Sequence, residues 1–208
     1  MSGGEVGASS WARVGGWSGI AAVAAYLLAA FAPVPDRLGY VLAFAFGPLV
    51  AVASVGMRRV LAAARPGALP ELGGLFGVGA GFMVLAMLTT QQAIFARGAS
   101  SGGALAPDAS AEALARGLDA VHFGLDVAWD VLIGISLLLF ATAMLRDPRF
   151  GRIFGAIGLA LALLLLGFNL WTFPVPPADA GSIDWGPFVA LWMLAAYALL
   201  VRAGRARG

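Results

Sequence analysis

Cysteine and lysine are both absent from the chain, and histidine occurs once. Without cysteine there is no disulfide, no thiolate metal ligand, no thiol nucleophile and no cysteine-linked lipid. Without lysine there is no Schiff-base chemistry, and with it go retinal- and pyridoxal-linked mechanisms. The lone His122 excludes a three-histidine zinc site and bis-histidine haem ligation. Charge is scarce too: 12% of residues are Asp, Glu, Lys or Arg, against roughly a quarter in an average soluble domain. A net charge of +2 is too small for an electrostatic footprint on nucleic acid, so none is expected as a partner.

What the chain has in abundance is apolar surface, 61% of its 208 residues. A soluble protein of this length cannot hide so much, whereas a lipid bilayer removes the need to hide it. A helix crosses the hydrocarbon core with about 20 apolar residues. Six segments meet that length, near 14–32, 38–57, 72–96, 123–145, 153–173 and 185–201. They predict an all-α, polytopic bundle of six transmembrane helices forming one domain over 1–208. Gly47-Pro48 marks a kink in the second span. The first apolar segment resembles a signal-peptide core with a cleavage-like Ala30-Phe31-Ala32. Pro33 disfavours cleavage there and five more apolar segments follow, so it reads as a retained first helix.

Orientation follows from the arginines. Arg13, Arg58, Arg59, Arg65, Arg146, Arg149, Arg152, Arg202, Arg205 and Arg207 fall on one side of the predicted spans; Arg37, Arg97 and Arg116 fall on the other. Ten against three, in strict alternation, places both termini in the cytoplasm (N-in/C-in), with the plasma membrane as the expected location. Glycines at four-residue spacing stripe three helices: Gly73, Gly77 and Gly81 on the third, Gly15/Gly19 on the first, Gly151/Gly155 on the fifth. Such faces serve a homo-oligomer or membrane-protein partner, or ordinary packing inside the chain. Six helices already supply partners, which favours the second.

Polar groups inside a bilayer are costly, so their depths carry functional information. Counting about 1.5 Å per residue from the inner end of the fourth span, Asp130 lies roughly 22 Å up and Asp126 roughly 28 Å up. On the fifth span Asn169 and Thr172 lie at roughly 24 and 28 Å, and on the third Thr89 to Gln92, with Gln91 between them, lie at roughly 25–30 Å. Three helices thus bring hydrogen-bonding groups to one depth near the outer face, where Asp184 begins the sixth helix as its cap.

An external amphipathic helix over 109–122, capped by Asp108 or Ser110, is expected to run into the fourth span. Glu112, Arg116, Asp119, His122, Asp126 and Asp130 share an arc of roughly 120° on it, a polar stripe that descends into the membrane. His122 and Asp126 on successive turns supply half a metal site, and with no second histidine no metal is expected. Asp119 beside His122 could orient an imidazole for acid–base work, though a solvated outer pair is the better explanation. Asp126 and Asp130 have structural alternatives as well, as acceptors at the interface or partners of Asn169, Thr172 or a glutamine. The 174–187 loop is proline-rich and lacks basic residues, and Trp171 and Trp185 sit where an outer aromatic belt belongs.

Two stretches, Gly124-Leu125-Asp126-Val127-Ala128-Trp129-Asp130 and Phe168-Asn169-Leu170-Trp171-Thr172-Phe173-Pro174-Val175-Pro176-Pro177, resemble a bacterial family of small six-helix membrane proteins of unknown function. The resemblance runs from the second helix onward. It implies a shared fold and no activity, and it marks these stretches as characteristic of the type.

The leading functional expectation is an outward-facing polar pocket between the third to sixth helices, binding a small molecule or passing one in a proton-linked cycle. Asp130 would be its central acid, lined by Asp126, Asn169, Thr172, Gln91, Gln92 and His122, with no cofactor. A non-catalytic subunit or assembly protein that docks through its glycine faces is the second class. An outer-leaflet hydrolase is the third, and it lacks a visible nucleophile motif or complete metal set.

Overall fold

A computed structural model of the chain describes residues 3–100 and 109–205. Six helices account for nearly all of them: α1 (Gly3–Phe31), α2 (Asp36–Ala64), α3 (Ala68–Ser100), α4 (Ala109–Met144), α5 (Arg152–Thr172) and α6 (Gly186–Arg205). No strand occurs among the described residues. The shortest helix, with 20 residues, reaches about 30 Å, so every one is long enough to cross a bilayer core. All six also contain a window apolar enough to do so.

The breaks between helices follow from local chemistry. Pro33 and Pro35 end α1 and start α2, because proline lacks the N–H that a helix interior needs. The Arg65-Pro66-Gly67 turn separates α2 from α3, with the Arg65 N–H closing the last turn of α2 on the Leu61 carbonyl at 2.9 Å. Between α4 and α5 the chain turns through 145–151, and Gly151 adopts φ +85°, a conformation that a side chain would strain. Pro48 sits inside an otherwise continuous α2. The fourth helix is longer than the span expected of it: 36 residues run unbroken for about 54 Å. The amphipathic segment and the fourth span are therefore one rod. The Asp108 cap lies outside the described residues, as do the side chains of Ser110 and Glu112.

The helices pack in chain order, each on the next from α1 to α5, and α6 returns to lie against α1. The ring closes along a thinner α5–α6 seam, while α2 reaches across the middle toward α4 and α6. Trp192 secures that seam: its ring stacks on Phe154 at 4.9 Å, its indole N–H donates to the Phe154 carbonyl at 3.1 Å, and it lies flat over Gly158. Small residues set the helix spacing elsewhere. Gly81 approaches Gly47 and Ala51 of α2, Gly73 faces the Phe140 ring of α4, and Gly77 lies between Ser54 and Ser136. The Ser136 hydroxyl donates to the Gly73 carbonyl at 2.8 Å, an interhelical bond in a dry interior. On α1, Gly15 meets Gly56 and Gly19 meets the buried Tyr197 ring. The glycine stripes of α1 and α3 are thus occupied by neighbours within the chain.

These contacts make a direct forecast. Gly81→Val would place its Cβ 2.6 Å from the Gly47 carbonyl oxygen and 2.9 Å from the Ala51 nitrogen, both backbone atoms that cannot swing aside. A loss of about 1–3 kcal/mol is expected, read as a lower thermal midpoint in detergent. Gly79→Ala, whose nearest neighbour is a leucine methyl at 3.9 Å, should leave the midpoint unchanged.

The outer surface of the ring is apolar. No spanning window has more than 44% of its residues buried inside the bundle. Leu75, Phe82, Ile153, Leu170 and Leu191 each leave more than 60% of their area open. In water that surface would drive aggregation. Against lipid tails it costs nothing, because the tails are equally apolar.

Candidate functional site

Each helix reverses the direction of the one before, so the connections divide between two ends of the bundle. One end carries the α1–α2, α3–α4 and α5–α6 connections, and there the polar residues converge. The stripe on α4 shows the trend. Arg116 and Asp119 stand exposed above the bundle, while His122, Asp126 and Asp130 are progressively enclosed by neighbouring helices. Among the described residues of this outer turn Leu118 and Val121 are also exposed.

Asp130 is the deepest carboxylate. Its side chain is a hydrogen-bonding neighbour of Asn169 on α5 and lies within electrostatic range of Asp126 and Asp184. Asp126 interacts with His122, one turn above it, and with Asp184. Asp184 lies just before α6, where its Oδ1 accepts the Gly186 N–H at 2.8 Å and so fixes the start of that helix. The helix dipole favours a carboxylate there. Three carboxylates from two elements therefore face one region.

Asn169 is 3% exposed. Its amide nitrogen donates to the Leu165 carbonyl at 3.0 Å, which turns one edge of the side chain back into its own helix. Its Oδ1 is buried with no hydrogen-bond partner, and the Nε2 of His122 and the indole N–H of Trp185 share that condition. A fourth such atom, Arg58 Nε, lies at the opposite end beside Glu71. Buried polar atoms are almost always satisfied, and the three at this end mark a place for a bound polar group or water. Among the described residues no three His, Asp or Glu side chains come together as metal ligands.

Two participants are not among the residues expected to line the site. Tyr26 of α1 is within electrostatic range of Asp184, Asp126 and Asp130, and its ring leads into an aromatic chain across the bundle. Tyr26 meets Phe46 at 5.4 Å, and Phe46 meets the edge of Trp129 at 5.8 Å, beside Asp130 in sequence. A depth count would have found Tyr26, since it lies about 8 Å below the end of α1, level with Asp130. Trp185 is the other. Expected as a belt residue, it turns inward, half-buried between Phe168 at 6.0 Å and Phe188 at 5.4 Å. Trp171, by contrast, is 88% exposed and free to anchor in the interface.

Other expected members stand apart. Thr172 spends its hydroxyl on the Phe168 carbonyl of its own helix at 3.0 Å. Thr89 and Thr90 do likewise on α3, to Leu85 and Ala86. Gln91 and Gln92 are half-buried and join no hydrogen bond among the described residues. The polar group thus belongs to α1, α4, α5 and the α5–α6 connection, while α3 contributes side chains at the right depth but no bond to it.

Two cavities lie away from this group. One, of about 20 Å³, sits between α2, α4 and α6 against Ser54, Ser136 and Tyr197, with room for one water-sized molecule. The other, of about 490 Å³, opens at the opposite end of the bundle beside Arg65 and Arg146.

The fold defines a class: a multi-pass membrane protein of six helical spans, with a polar cluster at one end and an arginine-rich surface at the other. No family profile, curated protein or solved structure matches the chain.

Proposed function

We propose that the chain lies in the plasma membrane with both termini in the cytoplasm, and that the Asp126–Asp130–Asn169 cluster faces outward as a binding site. It takes up a small polar ligand there, with Asp130 as the proton-exchanging acid of a binding or transport cycle. The arginine count, ten to three between the two ends, supports the orientation. The observation that carries the site is the orphaned, fully buried Oδ1 of Asn169 next to the Asp130 carboxyl. A purely structural cluster would satisfy its own members, whereas this one leaves an acceptor, an imidazole nitrogen and an indole N–H open. Ionisable groups at this depth mark ligand or proton pathways more often than not. Tyr26 and Asp184 belong to the same site on this reading, as hydrogen-bonding and charged groups at its rim.

The test is proton movement. Purified protein in liposomes carrying a pH-sensitive dye should equilibrate an imposed proton gradient, alone or with an added substrate pool, and Asp130→Asn should abolish it. Wild-type behaviour in that variant would remove the centre of the proposal. The non-catalytic subunit reading would then lead, and co-purification of a stoichiometric membrane partner would be its support.

A further inference from the structure

At the arginine-rich end, the α2–α3 and α4–α5 connections enclose the cleft of about 490 Å³. That volume falls in the range of ordinary ligand pockets. Its lining sets the apolar side chains of Leu61, Leu69 and Ala143 beside Arg65 and Arg146. We infer that this cleft binds the phosphate of an anionic ligand, supplied by the membrane as a phospholipid headgroup. It is independent of the polar cluster at the other end.

The charges around the cleft are unbalanced in one direction. Arg58 forms an ion pair with Glu71 at 3.2 Å, Arg59 lies over the Trp11 ring, and Arg149 is committed to Asp147. Arg65 and Arg146 are exposed, and neither guanidinium has an ion-pair or hydrogen-bond partner among the described residues. The single acid in the lining, Asp147, is 5% exposed, and its carboxylate accepts bonds from the Arg149 side chain and backbone N–H. That carboxylate is thereby engaged within the protein, and Arg65 and Arg146 are the exposed charged groups of the cleft.

The backbone adds to this. α3 begins at Ala68 in the wall of the cleft, so the positive end of its dipole faces inward. The opposing negative end of α4 is largely satisfied, because the Ala141, Ala143 and Met144 carbonyls accept N–H groups from 145–147. Arg149 also donates to the Val60 carbonyl at 2.9 Å, tying the α4–α5 connection to α2 and fixing one wall against the other. Pro66 and Pro148 stiffen the two connections, and Pro70 lies in the first turn of α3. The two cations are therefore mounted on a rigid frame.

Depth points to lipid as the source. The spans end at Ala64 and Met144 and begin again at Ala68, so the rim lies where the hydrocarbon gives way to headgroups. A lining that combines two arginines with apolar side chains suits a molecule with a phosphate joined to an acyl-bearing glycerol. Basic pockets between spanning helices on the cytoplasmic side bind anionic headgroups for this reason.

The experiment uses the full chain, purified and reconstituted in nanodiscs of zwitterionic lipid with or without phosphatidylglycerol. Lipid retention is read by native mass spectrometry and fold by the thermal midpoint. The wild type should retain phosphatidylglycerol. The Arg65→Gln/Arg146→Gln variant should bind it about thirtyfold more weakly, at about 1 kcal/mol for each arginine at the surface. The Arg202→Gln/Arg205→Gln variant, which removes equal charge from exposed positions outside the cleft, should bind nearly as the wild type does. Gly67→Asp is the second variant. No atom lies within 4 Å of its added Cβ, so it places a carboxylate at the mouth without disturbing the fold, and it should also lose the lipid. Glycerol 3-phosphate in detergent without lipid separates the sources. Saturable binding that the cleft variants abolish would retain the phosphate site and assign it to a soluble ester. Retention of phosphatidylglycerol by the cleft variants, or equal loss in the Arg202/Arg205 control, would overturn the inference. So would a wild type that binds neither probe.

Discussion

Arg149→Ala is expected to destabilise the folded protein by about 3–5 kcal/mol, the cost of leaving one member of a buried ion pair alone. Asp147 is almost wholly enclosed, and its carboxylate depends on Arg149 for both charge and hydrogen bonds: the Nε donates at 2.8 Å, the backbone N–H at 3.0 Å, and the terminal nitrogen bonds the second oxygen. The same guanidinium holds the Val60 carbonyl. Alanine removes all the side-chain bonds at once, so the α4–α5 connection also loses its attachment to α2. The thermal midpoint in detergent should fall by roughly 10 °C, taking 2–4 °C per kcal/mol for a chain of this size. The pairing account has its own check in Asp147→Asn/Arg149→Met. With no stranded carboxylate, this double variant should recover a large part of the lost stability. A single variant as stable as wild type would mean that the connection is held by its packing alone.

Asp130→Asn should separate stability from activity. The substitution keeps volume and hydrogen-bonding capacity while removing the proton that the proposed cycle exchanges. Asn169 remains within reach of the new amide, so the midpoint should move by no more than a few degrees, corresponding to less than about 1 kcal/mol. Proton-coupled flux or ligand binding should fall at least about a hundredfold, the scale on which a general acid or base contributes. The comparison that gives this meaning is Asn169→Leu, which removes a buried amide with an open acceptor. If the cluster is structural, both variants should unfold early and neither should be rescued by ligand. If it is a site, both should fold, and ligand should raise the wild-type midpoint more than theirs.

Much of this architecture is legible in the sequence, for reasons that are local. Whether a segment enters a bilayer depends on the summed transfer free energy of about 20 consecutive residues, and no tertiary contact is needed to evaluate it. Six such windows are visible, and six helices form around them. Their edges differ by several residues, as at α3, which begins at Ala68 rather than near 72. The helix propagates past the apolar stretch into sequence that hydropathy does not count. The unbroken α4 arises in the same way, because nothing between 109 and 144 interrupts helical hydrogen bonding. The depth of Asp126, Asp130 and Asn169 follows equally from counting along an axis.

Azimuth is different. Which groups at one depth meet depends on how each helix is rotated against its neighbours, and here glycine and alanine contacts set that rotation: Gly81 on Gly47, Gly15 on Gly56, Gly158 beneath Trp192. Those contacts turn Asn169 toward Asp130, bring Tyr26 of α1 to the carboxylates, and leave Gln91 and Gln92 without a bond to them. They also draw Trp185 inward while Trp171 stays in the surroundings. The sequence by itself determined the number of spans, the alternation of arginine between two ends and the depths of Asp126, Asp130 and Asn169, because each follows from counting along one helix. Only the tertiary structure decided which of those groups share a site, and which two arginines remain unpaired over a cleft. Both depend on pairwise packing between segments distant in the chain, which hydropathy and charge along one helix do not encode.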